Sequence, residues 1–148
     1  MAVIDRTRVT VVPTGAALGA DIRGFDPADF TAEDFATVRQ ALLDHLVIRI
    51  RDTDIDDAAF ERFGARFGTL KPSPDFTRSR PVYLRDAPSV TIISNVTEDG
   101  KPIGEHGDGE LNWHTDLAFT DEPSALTMLL AREVPPTGGN TSFANMYA

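Results

Sequence analysis

His114 and Asp116 are the residues best suited to chemistry in this 148-residue chain, two apart in the stretch Asn112-Trp113-His114-Thr115-Asp116-Leu117-Ala118-Phe119. An imidazole and a carboxylate at this spacing share one face of an extended strand, about 6.6 Å apart along the backbone, and both can reach one ion. In a helix the same two would diverge. Leu111, Trp113, Leu117 and Phe119 alternate with Asn112, His114, Asp116 and Ala118, which predicts a strand with an apolar face behind a polar one. A neutral imidazole and a carboxylate also serve non-haem Fe(II) centres, which add one further His and keep positions open for small molecules. The chain has no cysteine, so thiolate ligands and disulfides are excluded and any metal site is built from nitrogen and oxygen.

A His-x-Asp tripeptide also arises by chance, so its context carries the weight. Pro123, the strand-like run Ala125-Leu126-Thr127-Met128-Leu129-Leu130-Ala131 and then Pro135-Pro136-Thr137-Gly138-Gly139-Asn140-Thr141 follow in order. In this combination the chain resembles the taurine dioxygenase/2,4-dichlorophenoxyacetate dioxygenase family of Fe(II)- and 2-oxoglutarate-dependent oxygenases. There a Trp-His-x-Asp segment is followed by Pro and then by Gly-Gly-(Asp/Asn)-Thr. The resemblance runs from about Leu18 to the end. It implies His114 and Asp116 as metal ligands, Thr141 as a hydroxyl donor to a carboxylate of 2-oxoglutarate, and Asn95, Leu117 and Phe119 on the substrate side. Strict alternation puts Leu117 and Phe119 on the face opposite the ligands, so their role requires a bulge or strand end after Asp116. Gly138-Gly139-Asn140 equally spells a plain β-turn, and the two readings are compatible.

The fold implied is mainly β with flanking helices, an α+β arrangement in which a double-stranded β-helix, or jelly-roll, is incomplete in this chain. The reaction implied is decarboxylation of 2-oxoglutarate to succinate and CO2, coupled through Fe(II) and O2 to hydroxylation of an unactivated C–H bond of a small molecule. Asp116 supplies a carboxylate where halogenating relatives carry a small residue, which argues against halogenation. The family takes its second His, and an Arg for the distal carboxylate of 2-oxoglutarate, from far downstream, and neither has a candidate after Thr141. Residues 1–148 are therefore expected to be the N-terminal half of one dioxygenase domain, inactive alone, with a strand starting near Asn140 left unpaired. Two other readings stay open: a hydrolase using His114 and Asp116 on Zn or Mn, and a non-catalytic jelly-roll binding module.

The elements that must position these residues are legible in part. Arg8 to Val12 is β-branched and predicts an opening or edge strand ended by Pro13-Thr14-Gly15; Leu18 to Asp26 predicts a short strand and turn. Thr31-Ala32-Glu33-Asp34 has the form of a capping box, and Phe35, Val38, Leu42 and Leu43 then recur at helical spacing. His45 is expected to end that helix, and Leu46 to Arg51 alternates as a strand. Asp54 to Phe67 predicts a second helix with Phe60, Phe63 and Phe67 in the core. Gly68 to Pro88 carries four prolines and predicts a long loop, a lid over the substrate by the resemblance. Ser73 and Phe76 stand there where the taurine enzyme has a His and a Tyr against its substrate, which argues against taurine itself. Ser89 to Val96 predicts a strand between two layers, Asp99-Gly100 a hairpin turn, and Ile103 to Gly109 a Gly-rich connection holding His106 as an exposed loop residue.

Composition sets outer bounds. The formal charge of -9 repels nucleic acid and anionic membrane, so neither is expected as a partner. Charges at Asp5, Arg6 and Arg8 interrupt any signal-peptide core and no apolar run reaches membrane-spanning length, which places the protein in the cytoplasm. A small-molecule substrate and O2 are the expected partners, and the oligomeric state is open, a homo-oligomer included.

Overall fold

The computed structural model describes residues 9–71, 83, 84, 87–106 and 112–148. The chain forms two compact units, Met1–Ile55 with Ala131–Ala148, and Asp56–Leu130. No helix among the described residues is long and apolar enough to cross a membrane.

The first unit is built from β1 (Thr10–Pro13), β2 (Ala20–Arg23), α1 (Ala32–His45) and β3 (Ile48–Ile50). β1 is the edge strand expected for it and runs antiparallel to β2, with Val11 opposite Ile22. β2 and β3 are parallel and α1 is the crossover between them. The capping box forms as the sequence specifies: the Thr31 hydroxyl accepts from the Asp34 N–H at 3.1 Å, and Asp34 Oδ2 accepts from the Thr31 N–H at 2.9 Å. Such a cap contributes about 1 kcal/mol to a helix. The Thr31 hydroxyl and N–H together hold the Asp34 carboxyl below its ordinary value. His45 closes the helix, and Leu46 turns the chain with a φ of +67°.

Val38 and Ala41 of α1 are buried, as are Ala20, Ile22 and Phe25. Leu43, expected on the buried face, is 58% exposed. Its position two residues past Ala41 turns it about 200° around the helix, onto the outer side. Across the parallel pair, Arg49 grips Asp21 with a fork, Nε to Oδ1 at 2.6 Å and Nη2 to Oδ2 at 3.0 Å, between residues already opposite in register. The segment Ala131–Ala148 joins this unit through Arg132, whose Nη1 donates to the Ile55 carbonyl at 2.6 Å, and Asn145, whose Nδ2 donates to that of Ala17 at 2.9 Å. It carries no strand, so the one expected near Asn140 is not formed.

The second unit opens with α2 (Asp57–Gly64), shorter than the helix expected from Asp54 to Phe67. Asp56 caps it, accepting from the Ala59 N–H at 2.6 Å. Phe63 is buried and meets Phe67 edge-on at 5.3 Å, while Phe60 and Phe67 are half-buried, so of the three phenylalanines expected in the core only Phe63 lies there. β4 (Tyr83–Leu84) pairs antiparallel with β5 (Ala87–Thr91), so the end of the stretch expected to be a long loop is a ladder. Residues 72–82, with Ser73 and Phe76, lie outside the described residues. Glu61 Oε1 accepts from the Ser89 N–H at 2.8 Å and ties β5 to α2.

The single strand expected over 89–96 is broken after Thr91, and β6 (Ile93–Ser94) follows as a separate element. Ile93 is 59% exposed, which overturns the expectation of a strand covered on both faces. β7 (Thr97–Glu98) and β8 (Lys101–Pro102) form the predicted hairpin around Asp99 and Gly100, whose φ values of +50° and +71° suit a primed two-residue turn. β9 (Glu105–His106) pairs parallel with β6, so His106 belongs to a ladder and not to the expected loop. Gly104 permits this pairing, because a Cβ there would stand 2.7 Å from the Ser94 nitrogen and 2.8 Å from the Ile92 oxygen. The result is a mixed α+β architecture whose described sheets are small and open, without barrel closure among the described residues.

Candidate metal centre

The stretch expected to be the metal-bearing strand is a turn. The Ala118 N–H bonds the Thr115 carbonyl at 3.3 Å, the Thr120 N–H bonds that of Leu117 at 3.0 Å, and the Thr120 hydroxyl reaches the same Leu117 oxygen at 2.8 Å. Leu117 takes a left-handed φ of +53°. Alternation specifies which side chains would share a face if the chain were extended; here local hydrogen bonds claim the backbone groups a ladder needs. The expected apolar face is accordingly not formed, with Trp113 at 73% and Phe119 at 74% exposure and Leu117 half-buried. The chain reverses immediately after Asp116, where a substrate-side role for Leu117 and Phe119 requires a break.

The turn still brings the two candidate ligands together. His114 Nε2 and Asp116 Oδ1 are 3.2 Å apart, both side chains about half exposed. Two donors bound to one ion at about 2.1 Å and near right angles stand about 3.0 Å apart, so the pair fits two corners of a metal site. The imidazole is held for it. Nδ1 lies 2.7 Å from the Asn112 carbonyl, which can only accept, so Nδ1 carries the proton and the lone pair of the neutral ring is on Nε2, the atom facing Asp116. The Asn112 carbonyl, opposed by desolvation and aided by the Asp116 carboxylate, holds the imidazolium above the ordinary histidine value. The second oxygen of Asp116, Oδ2, accepts the Thr127 hydroxyl at 2.6 Å.

Thr127 was not singled out by spacing or motif, although a lone hydroxyl in the apolar run 125–131 is a visible signal. That run, expected to be a strand, has no ladder partner among the described residues. Asn95 is exposed between β6 and β7. Thr141 is exposed and belongs to the first unit, whereas His114 and Asp116 belong to the second. It follows Gly138 and Gly139, whose φ values of +78° and +64° lie in the left-handed region that favours glycine, without a hydrogen-bonded turn at 138–140. No group of three His, Cys, Asp or Glu side chains positioned to hold a metal occurs among the described residues. An open hollow of about 540 Å³ between β1 and α1, lined by Val11, Ala36 and Ala41 together with Glu33, Gln40 and Asp44 among others, is lined by neither candidate ligand.

Residues 10–148 match the family model described as taurine catabolism dioxygenase TauD, TfdA family. The chain belongs to this family. Among TauD/TfdA relatives, it is 35% identical over 144 residues to pentalenolactone F synthase of Streptomyces arenae, covering 95% of this chain and 46% of that protein. It is 26% identical over 154 residues to the (S)-phenoxypropionate/alpha-ketoglutarate-dioxygenase of Delftia acidovorans, covering 97% and 48%. A solved Burkholderia xenovorans structure, provisionally assigned as an alpha-ketoglutarate-dependent taurine dioxygenase, superimposes with a TM-score of 0.51 at 27% identity, over 62% of this chain and 32% of that one. The chain spans about half the length of the curated relatives it matches.

Proposed function

We propose that this chain carries iron-binding residues of an Fe(II)- and 2-oxoglutarate-dependent dioxygenase that oxidises, by hydroxylation, an unactivated C–H bond of a small molecule. The observation that carries this is the 3.2 Å approach of His114 Nε2 to Asp116 Oδ1, with the imidazole tautomer fixed by Asn112, in a chain of the TauD/TfdA family. Fe(II) with 2-oxoglutarate and O2 supplies the oxidising power, and succinate and CO2 leave as co-products. His114 and Asp116 would hold the metal by one nitrogen and one oxygen. Thr141 would donate its hydroxyl to a 2-oxoglutarate carboxylate, and Asn95, Leu117 and Phe119 would stand on the substrate side.

The same reading takes residues 1–148 as part of one dioxygenase domain, with the open sheets as part of a jelly-roll. The test is succinate release by the complete protein with Fe(II), ascorbate, 2-oxoglutarate and O2. His114→Ala and Asp116→Ala are each expected to abolish it while leaving the far-ultraviolet circular dichroism unchanged; wild-type rates in either variant would remove the assignment.

A further inference from the structure

Asp116 has two oxygens, and the structure uses them differently. Oδ1 faces His114 Nε2 at 3.2 Å, while Oδ2 accepts the Thr127 hydroxyl at 2.6 Å. A carboxylate with neither oxygen held can rotate and offer a cation either one, or both at once. With Oδ2 engaged in a short, charge-assisted O–H···O⁻ bond, Oδ1 is the oxygen presented. Thr127 is well placed for this and has little else to do. It lies eleven residues beyond Asp116, on a segment with no ladder partner among the described residues, and its side chain is exposed, so it fills no core. Threonine hydroxyls commonly bond nearby groups, as Thr37, Thr14 and Thr120 bond backbone and Thr31 the Asp34 carboxylate here, whereas this one reaches a carboxylate eleven residues away.

We propose that Thr127 is a positioning residue: its hydroxyl holds Asp116 as a one-oxygen ligand, with Oδ1 set beside His114 Nε2, so that other metal positions stay open for small molecules. This rests on the reading of His114 and Asp116 as metal ligands. Groups that hydrogen-bond a ligating carboxylate tune metal affinity, and their loss weakens it roughly 10–100-fold.

The experiment is a Mn(II) titration of the metal-free complete protein, with free Mn(II) followed by electron paramagnetic resonance. It compares wild type with Thr127→Val, which keeps the shape and removes the hydroxyl, with Thr127→Ser, which keeps the hydroxyl, and with His114→Ala. Thr127→Val is expected to bind roughly 10–100-fold more weakly with an unchanged metal-free melting curve, and Thr127→Ser to bind as wild type does. Should Thr127→Val fail to fold, Thr127→Ala carries the same expectation. If the valine variant binds as tightly as wild type while His114→Ala has lost binding, the metal site stands and the role of Thr127 is overturned. Equal weakening in the serine and valine variants would trace the effect to packing and overturn it as well. If wild type binds no Mn(II), or His114→Ala binds it unchanged, the metal-site reading falls and takes this inference with it.

Discussion

His114 Nε2 can hold a proton or a metal, not both, and the same neighbours that fix the ring also favour the proton. The Asn112 carbonyl, and behind it the Asp116 carboxylate, raise the imidazolium above the ordinary histidine value. Metal affinity is therefore expected to be full above that raised value and to fall as pH drops through it, by about tenfold per pH unit once the ring is protonated. Mn(II) affinity measured from about pH 9 down to about pH 5 checks this, and a flat profile would mean that Nε2 is not a ligand. Thr141 makes a separate prediction. Thr141→Val replaces a hydroxyl with a methyl of the same shape, so 2-oxoglutarate should bind the complete Fe(II) protein more weakly by about 1.5–3 kcal/mol, the worth of a hydrogen bond to a charged group. Equal affinity in the variant would reduce Thr141 to a turn residue. Both ligand candidates and Thr141 were legible from residue type and motif. Thr127 was not, because its meaning lies in a contact eleven residues away that no local pattern announces.

Capping boxes and primed turns are settled within a few residues, and those elements emerged where the sequence put them: Thr31 with Asp34, and Asp99 with Gly100. Strand readings fared worse. Alternation over 112–119 was real, yet whether an extended segment finds a ladder partner depends on chain far away, while the Thr115 and Leu117 carbonyls had partners three residues off. The run at 89–96 was similarly split, with β6 pairing to β9 through a contact that Gly104 alone permits. Gly104→Ala would force its Cβ against the Ser94 and Ile92 backbone, which cannot yield as a side-chain tip can. It should cost about 1–3 kcal/mol, the range of overpacking strain, by urea denaturation of the complete protein. A variant of unchanged stability would show that β6 and β9 do not approach as closely as described.

For the molecule as a whole, the α+β architecture was readable because helix and strand periods are local, while jelly-roll closure depends on pairings of long sequence separation that residue patterns do not encode. Family membership was readable for a different reason: Trp113-His114-Thr115-Asp116, Pro123 and Gly138-Gly139-Asn140-Thr141 occur in a fixed order, and the match over residues 10–148 bears that out. The predicted strand is absent, yet the chain still brings His114 Nε2 and Asp116 Oδ1 within 3.2 Å. The central claim is that these two side chains hold Fe(II) in a form that also takes 2-oxoglutarate. Its most direct test is visible absorbance of the complete protein under argon, first with Fe(II) and then with 2-oxoglutarate added. Wild type should develop a new band that saturates with 2-oxoglutarate and is lost in His114→Ala and Asp116→Ala; no band in wild type, or the same band in both variants, would contradict the claim.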